Sequence, residues 1–180
     1  MKTKIIAAFI LSVGVSGVAS ADNTVRFLGE VSDQTCSIKI NGADSNPVVL
    51  LPTVSKSTLS AAGSTAGDTP FTVTLSGCDV SATSMTGKAA ARFVSTYIDG
   101  TNLSNIAASS PATNVAIQLL EGTTALDFTS GEAKTSQKAI GGNGGVDTVT
   151  FDMVARYYSA AGSATSGAVE SSAQFAVTYL

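Results

Sequence analysis

Apolar and polar residues alternate with a period of two in several short stretches of this chain. Successive side chains of a strand point to opposite faces, so each stretch predicts a β-strand with one buried face. Short strands separated by clusters of Gly, Ser, Asn and Asp are typical of an all-β sandwich or barrel. No stretch shows a sustained helical period. The predicted strands cover residues 23–31, 34–40, 48–51, 71–75, 89–98, 115–120, 126–128, 149–158 and 173–180.

Three longer connections between these strands are polar and rich in small residues. Residues 55–69, 99–113 and 130–146 are predicted to be loops, the first with at most one helical turn. The glycine run at 141–145 lacks the Lys-Ser/Thr pair and the following helix that a phosphate-binding loop needs. We therefore predict a surface loop there.

The first 21 residues have the features of a secretory signal peptide. Lys2 and Lys4 precede an apolar run over residues 5–18, and a small-x-small cleavage site follows at residues 19–21. The apolar run is too short and too weakly flanked to be a membrane anchor. We expect an exported chain that begins with the strand at 23–31, which has no hairpin partner upstream.

The two cysteines of the chain, Cys36 and Cys78, predict one disulfide. In an exported chain an even pair indicates a covalent bridge, here between the strand at 34–40 and the end of the strand at 71–75. On the chain-entropy model, closing a loop of that size stabilises the fold by about 4 kcal/mol. The alternative is two free thiols or a metal pair, although two cysteines without histidine do not fill a zinc site.

The absence of histidine and the net charge of −3 restrict the possible functions. Without histidine there is no Ser–His or Cys–His nucleophile pair and almost no zinc or copper site. The acidic residues are scattered singly and lack the spacing of an EF-hand calcium site. Loss of the signal peptide makes the net charge more negative, which argues against nucleic acid as a partner. We expect no enzyme, no cofactor and no metal.

Two short motifs relate to sugars. Arg156, Tyr157 and Tyr158 could form a sugar-stacking patch, but their place on an alternating strand favours one buried tyrosine beside an exposed one. Residues 102–104 are formally a glycosylation sequon.

The two ends of the exported chain complement each other. The strand at 173–180 carries Phe175, Val177 and Tyr179 on one face, and an apolar edge strand needs another strand beside it. The strand at 23–31 could supply that partner within one molecule. It could instead cover a neighbour's groove, which gives a polymer by strand addition.

Four features occur in order along the chain. They are residues 24–31 followed by Cys36, Phe71 with Leu75 and Cys78, residues 155–158 before a loop of small residues, and Gly167 fourteenth from the terminus with Tyr179 penultimate. With these features the chain resembles a known family, the major subunits of chaperone–usher fimbriae, such as the type 1 and F17-like pilins. The segment before Val25 is shorter than in type 1 pilins and closer to the F17-like pattern.

The resemblance implies an incomplete immunoglobulin-like β-sandwich, the pilin fold, that lacks its last strand. Residues 22–32 would be a donor-strand arm and residues 33–180 the pilin domain. The arm would insert one face into the groove of an identical or homologous pilin subunit by donor-strand exchange. The residues of that face are Val25, Phe27, Gly29 and Val31.

The resemblance also implies assembly partners. A periplasmic chaperone would lend a strand to the folding subunit, and the arm of the next subunit would replace it at the outer-membrane usher. The product would be an extracellular fimbrium that supports cell adhesion. The chaperone and the arm would both lie beside the strand that carries Phe175, Val177, Tyr179 and Leu180.

Three alternatives stay open at the level of sequence. The first is a fimbrial subunit that itself binds host glycans through the loops at 99–113 and 130–146. The second is a minor adaptor pilin. The third is a self-contained exported β-sandwich enzyme or inhibitor, with its own N-terminal strand docked inside.

Overall fold

A computed structural model of the protein describes residues 36–44, 47–78, 87–140 and 148–179. These residues form eleven β-strands and, as predicted for the connection after residue 55, one helical turn at Lys56–Leu59. No helix in the described ranges is long and apolar enough to cross a membrane. The strands in chain order are β1 (Ser37–Ile40), β2 (Ser64–Ser76), β3 (Gly87–Val94), β4 (Ile98–Asp99), β5 (Asn102–Ser104), β6 (Ala116–Glu121), β7 (Thr124–Ala125), β8 (Glu132–Lys134), β9 (Lys138–Ile140), β10 (Val149–Ser159) and β11 (Gln174–Tyr179).

The strands form two antiparallel sheets with one hydrophobic core between them. The first sheet has the order β1-β2-β10-β6-β5-β4, with β7 paired to β6, and the second has the order β11-β3-β8, with β9 paired to β3. Val73 and Phe151 contribute to the core from the first sheet, and Ala89 and Phe93 from the second. The predicted all-β sandwich is confirmed.

The ladder between β2 and β10 lies at the centre of the first sheet. It places Val73 opposite Phe151 and Phe71 opposite Met153, and all four side chains are buried. Full burial of an apolar side chain of this size contributes about 1.5–3 kcal/mol. The alternation predicted for both strands is therefore confirmed, and it fixes the register, because a slip by one residue would turn the apolar face outward.

The beginning of β2 differs from the sequence prediction. The strand starts at Ser64, so the loop predicted over residues 55–69 is wrong in its last part. This part of the sequence has no apolar alternation, and pairing with β10 makes it a strand. The ladder is interrupted by a β-bulge between Ala155 and Tyr157, where Gly67 has a positive φ of 72°. Glycine adopts this conformation without steric cost.

Several short strands were not expected from the sequence. The predicted loop over 99–113 contains β5 and the end of β4, and the predicted loop over 130–146 contains β8 and β9. Leu126 and Phe128 are buried as an alternating pair would be, but the strand in this region is β7, which ends before them. Strands of two or three residues are too short to show a period, so only their pairing partners reveal them.

Some predicted segments lie outside the described residues. They are the signal peptide over residues 1–21, the arm over residues 22–32 and the glycine run at 141–145. The division of the chain at residue 32 stays a prediction.

The predicted disulfide between Cys36 and Cys78 is present, with a sequence separation of 42 residues. It joins the residue before β1 to a residue just after β2, next to the ladder rung that pairs Ser37 with Ser76. The bond therefore closes the end of a hairpin-like pair of strands that are joined by a long connection.

Replacing both cysteines by serine is expected to lower the free energy of unfolding by about 4 kcal/mol, because the unfolded chain regains the freedom that the closed loop removes. Urea denaturation followed by circular dichroism measures this loss. The control is Ser37→Ala with Ser76→Ala, which changes the neighbouring rung without touching the cross-link. Equal midpoints for the serine variant and the parent chain would contradict the expectation.

Candidate functional site

An apolar groove of 810 Å³ lies between two segments of the chain. The first wall is residues 47–51 and the second wall is residues 169–175. Burial alternates along both walls, as it does along a strand with one face turned inward. The groove is thus an opening of the sandwich. Each of its two sides is a strand-like segment of the chain.

The floor of the groove is the hydrophobic core itself. Phe71 on β2 and Phe93 on β3 come from different sheets, and both are at most 5% exposed. An occupant of the groove would therefore contact side chains that the two sheets otherwise bury between them. The remaining floor residues are Ile40, Leu103, Ile117, Leu119, Ala155 and Tyr157.

The first wall is apolar on both faces. Val49 and Leu51 are half-buried against the core, whereas Val48 and Leu50 are 81% and 86% exposed. This wall belongs to neither sheet of the described residues, so the strand predicted over residues 48–51 is wrong as a paired element. An extended apolar segment of this kind is an edge that another strand can cover.

The second wall is held in place by Asn105. Its Nδ2 donates hydrogen bonds to the carbonyl oxygens of Ala112 and Ala168, both at 2.9 Å. Its Oδ1 accepts hydrogen bonds from the backbone N–H groups of Ala107 at 3.1 Å and Glu170 at 3.0 Å. A primary amide has two donor hydrogens and two acceptor lone pairs, so Asn105 uses its full capacity.

Further hydrogen bonds fix the outer side of the second wall. Ser95 Oγ donates to the carbonyl oxygen of Ser172 at 2.9 Å, and the N–H of Ile106 donates to the carbonyl oxygen of Glu170 at 2.8 Å. Backbone groups of successive residues in an extended chain point to opposite sides. Since those of residues 170 and 172 face outward, we infer that those of residues 169, 171 and 173 face the groove.

Gly167 lies where the chain enters the second wall. A Cβ at this position would lie 2.5 Å from the carbonyl oxygen of Ser110 and 2.6 Å from the carbonyl carbon of Pro111. The two backbones approach closely because Pro111 and Ala168 form a parallel bridge. Only glycine leaves room for this contact, which sets where the wall begins.

Tyr157 lies in the floor of the groove beside the β-bulge. A Cβ on Gly67 would come within 3.0 Å of its ring, so the glycine lets the ring lie against the backbone. Partial burial raises the pKa of Tyr157 above its usual value, which keeps the phenol neutral.

The two sugar-related motifs have other roles in the fold. Tyr157 and Tyr158 are both half-buried, so the predicted pairing of a buried with an exposed tyrosine is wrong. Arg156 donates from Nε and Nη2 to Oε1 of Gln118 at 2.9 and 2.7 Å. Asn102 of the sequon is only 3% exposed, and a buried asparagine is not presented for glycosylation in the folded chain.

The chemistry of the groove suits binding rather than catalysis. Its described lining is mostly aliphatic and aromatic, and Glu170 is the single charged residue in it. The described ranges contain no group of three or more His, Cys, Asp or Glu residues that could hold a metal ion. An apolar strand is an occupant that matches such a lining.

The predicted site residues are placed only in part. Phe175 lines the groove and pairs with Phe93, and Val177 and Tyr179 follow it on β11, half-buried against the core. The role predicted for this strand stays a prediction. The residues that lie outside the described ranges are Val25, Phe27, Gly29, Val31 and Leu180.

The sequence prediction missed Asn105. It is one asparagine in a polar connection. The partners that connect it to the second wall, Ala168 and Glu170, lie 63 and 65 residues away along the chain. No local pattern indicates such a residue. The sequence predicted the first wall as an extended apolar segment. It did not predict that this segment has no ladder partner among the described residues.

Comparison with known proteins identifies the family. The sequence profile of the family described as "Fimbrial protein" matches residues 25–180. The chain belongs to the fimbrial protein family. The resemblance inferred from the sequence is thereby confirmed.

Curated relatives of this fimbrial subunit are similar along nearly their whole length. The F17 fimbrial protein of Escherichia coli is 35% identical over 188 residues, covering 99% of this chain and 98% of the relative. The type-1 fimbrial protein A chain of Escherichia coli strain K12 is 33% identical over 191 residues, covering 99% and 100%. The major fimbrial subunit SMF-1 of Stenotrophomonas maltophilia is 37% identical over 169 residues, covering 89% and 94%.

Solved structures agree on the fold. The P pilus rod subunit PapA has a TM-score of 0.61 at 18% identity, covering 80% of this chain and 99% of that chain. A chaperone–usher pilus subunit has a TM-score of 0.59 at 22% identity, covering 91% and 98%. The predicted immunoglobulin-like sandwich of a pilin is therefore confirmed.

The family establishes the general role of the chain. It is a fimbrial subunit, and subunits of this family polymerise into the fibres of an extracellular fimbrium. Its relatives are structural fimbrial subunits and not enzymes, which confirms the prediction on that point.

Replacing Asn105 by alanine is expected to lower the free energy of unfolding by about 2 kcal/mol, since it removes four hydrogen bonds and leaves the Glu170 N–H of the second wall without this partner. The loss should be local. Hydrogen exchange read by mass spectrometry should speed up in fragments covering residues 168–172 and stay unchanged in β2.

Thr129→Ala is the matched control, because it removes one side-chain hydrogen bond, to Asp127, on an exposed turn that does not line the groove. Unchanged exchange at residues 168–172 in Asn105→Ala would show that the wall does not depend on this amide.

Proposed function

We propose that this chain is a fimbrial subunit that polymerises by donor-strand exchange, with its groove as the acceptor site. The observation that carries the proposal is the apolar groove between the first and second walls, whose floor is the core. Its occupant is the N-terminal arm of an identical or homologous subunit. The arm adds the strand that completes the sandwich.

The arm and the groove agree in length. The alternating face of the arm runs from Val25 to Val31, which is as many residues as the second wall from Val169 to Phe175. At about 3.3 Å per residue both span about 20 Å when extended. An arm in the groove can therefore lie along the whole second wall.

The arm and the groove also agree in chemistry. Val25, Phe27 and Val31 would meet the apolar floor, and the inferred direction of the wall's odd-numbered backbone groups offers hydrogen bonds to an added strand. Gly29 suits a point where the arm lies flat on the floor. The opposite face of the arm, with Arg26 among its residues, would remain toward solvent.

The magnitudes support a joint that rarely opens. Burial of each of Val25, Phe27 and Val31 contributes about 1.5–3 kcal/mol, and each added strand hydrogen bond about 1 kcal/mol. Because the arm completes the domain, dissociation of the joint and loss of fold stability are linked. A head-to-tail contact of this kind does not close on itself and gives an open filament.

The remaining steps follow from the family. Residues 1–21 direct export, a periplasmic chaperone covers the groove of the new subunit, and the outer-membrane usher exchanges the chaperone strand for the arm at residues 22–32. The strand with Phe175, Val177, Tyr179 and Leu180 lies beside the chaperone strand before the exchange and beside the arm of the next subunit after it. The assembled fibre supports cell adhesion.

Deletion of residues 22–30 tests the acceptor and donor roles separately. The truncated subunit should bind a synthetic peptide of residues 22–32, because its groove is intact, and should form no fibres in electron micrographs. Fibres formed by the truncated subunit would rule out the arm as donor.

A matched pair of point variants tests which face of the arm is inserted. Phe27→Ala should weaken binding of the peptide by about thirty-fold, the loss expected for a large buried side chain. Leu28→Ala, one residue further on the opposite face, should change it by less than about three-fold. The reverse order would show that the other face enters the groove.

A further inference from the structure

The C-terminal strand of the groove and the beginning of the described chain meet at one hydrogen bond. The backbone N–H of Cys36 donates to the hydroxyl oxygen of Tyr179 at 2.5 Å, across a sequence separation of 143 residues. Tyr179 is half-buried against the core. The bond is therefore a long-range contact between two elements that no ladder joins.

This hydrogen bond crosses from one sheet to the other. Cys36 precedes β1, at the edge of the first sheet, whereas Tyr179 ends β11, at the edge of the second sheet. In the second sheet Tyr179 is also the last rung of the ladder to β3, opposite Ala89. Movement of the end of β11 must therefore strain either this bond or that rung.

The donor end of the bond lies beside the disulfide. Cys36 is linked covalently to Cys78, which is 4% exposed and lies just after β2. The cross-link anchors the side chain of Cys36, and the Tyr179 hydroxyl is a second restraint, on its backbone amide.

Tyr179 and Cys36 each lie close to a segment that the proposed polymerisation uses, Tyr179 to the groove and Cys36 to the arm. Phe175, on the same strand as Tyr179, lines the groove, and Cys36 follows directly on the segment that leads from the arm at residues 22–32. We propose that Tyr179 is a positioning residue that couples the acceptor groove to the root of the subunit's own donor arm. This inference rests on the proposed function of groove and arm.

The coupling has a thermodynamic consequence. An arm in the groove adds a strand beside β11 and reduces the motion that β11 retains in its ladder with β3. Because the Tyr179 hydroxyl accepts from the Cys36 amide, the root of the subunit's own arm then moves less as well. Order gained at one site lowers the cost of order at the other. By linkage, fixing the arm root in turn favours occupation of the groove. Occupation of a subunit's groove would thereby favour insertion of its own arm into the groove of the next subunit.

Hydrogen exchange on the mature full-length chain tests the coupling. The chain is compared in dilute solution with and without an excess of the synthetic peptide of residues 22–32, for the parent and for Tyr179→Phe. The variant keeps the ring and loses the hydroxyl. Tyr97→Phe is the matched control, since Tyr97 is 54% exposed and belongs neither to β11 nor to the segment around Cys36.

In the parent and in Tyr97→Phe, the peptide should slow exchange in β11 and at the Cys36 amide together. In Tyr179→Phe the peptide should still slow exchange in β11, but the Cys36 amide should not respond. Without peptide, the Cys36 amide of Tyr179→Phe should exchange about five-fold faster than in the parent, as expected for loss of one hydrogen bond. Equal responses at Cys36 in parent and variant would overturn the proposal.

A second variant keeps the test decisive if Tyr179→Phe folds poorly. Val177→Ala weakens the packing of β11 but retains the hydroxyl, so exchange at Cys36 should rise together with exchange in β11. An unchanged Cys36 amide would contradict the coupling. A peptide that slows exchange nowhere in the parent would instead refute the proposed groove function, and the comparison without peptide would still decide whether the hydroxyl anchors Cys36.

Discussion

The antiparallel ladder between β2 and β10 is the interaction on which the rest of the fold depends. It sets the face on which Val73 and Phe151 meet in the core, and it carries β1 on one side and β6 on the other. The disulfide attaches just beyond β2, and the β-bulge in this ladder directs Tyr157 into the groove floor. A change of register here would turn the core outward and remove the floor of the groove at the same time.

The groove walls depend on a different kind of interaction. Side-chain hydrogen bonds, chiefly those of Asn105, hold the second wall from its outer side, where a ladder would otherwise be needed. The wall is thereby ordered before anything enters the groove. Preorganisation of this kind lowers the conformational entropy lost on binding. A wall held from outside can offer its inner side to an added strand.

The two sheets are joined chiefly by the core, and the hydrogen bond between Tyr179 and Cys36 is one of the polar contacts that join them as well. Apolar packing is not directional, whereas a hydrogen bond requires its two groups at a defined distance and angle. A small displacement of β11 therefore weakens this hydrogen bond more than it weakens the neighbouring apolar packing. In the fibre that we propose, this contact would lie between the two joints that each subunit makes, one through its groove and one through its arm.

The class of fold, the disulfide and the family can be inferred from the sequence alone. Alternating stretches, such as residues 71–75 in β2 and most of β10, can be recognised as strands in the sequence. A buried face imposes period two on their residues. Two cysteines in an exported chain leave one pairing, and motifs spread along the chain identify the fimbrial family. These features depend on local pattern or on residue type, which a sequence displays directly.

Which segments lack a ladder partner, and which side chains hold them in place, depends on contacts between residues that are distant along the chain. The polar start of β2 is a strand because β10 pairs with it, and the apolar segment with Val48 and Leu50 is a groove wall because nothing in the described chain pairs with it. Asn105 and Tyr179 gain their roles from partners that are distant along the chain. Such a hydrogen bond forms only when the fold brings the two groups together. The spacing of the residues along the sequence therefore does not reveal it.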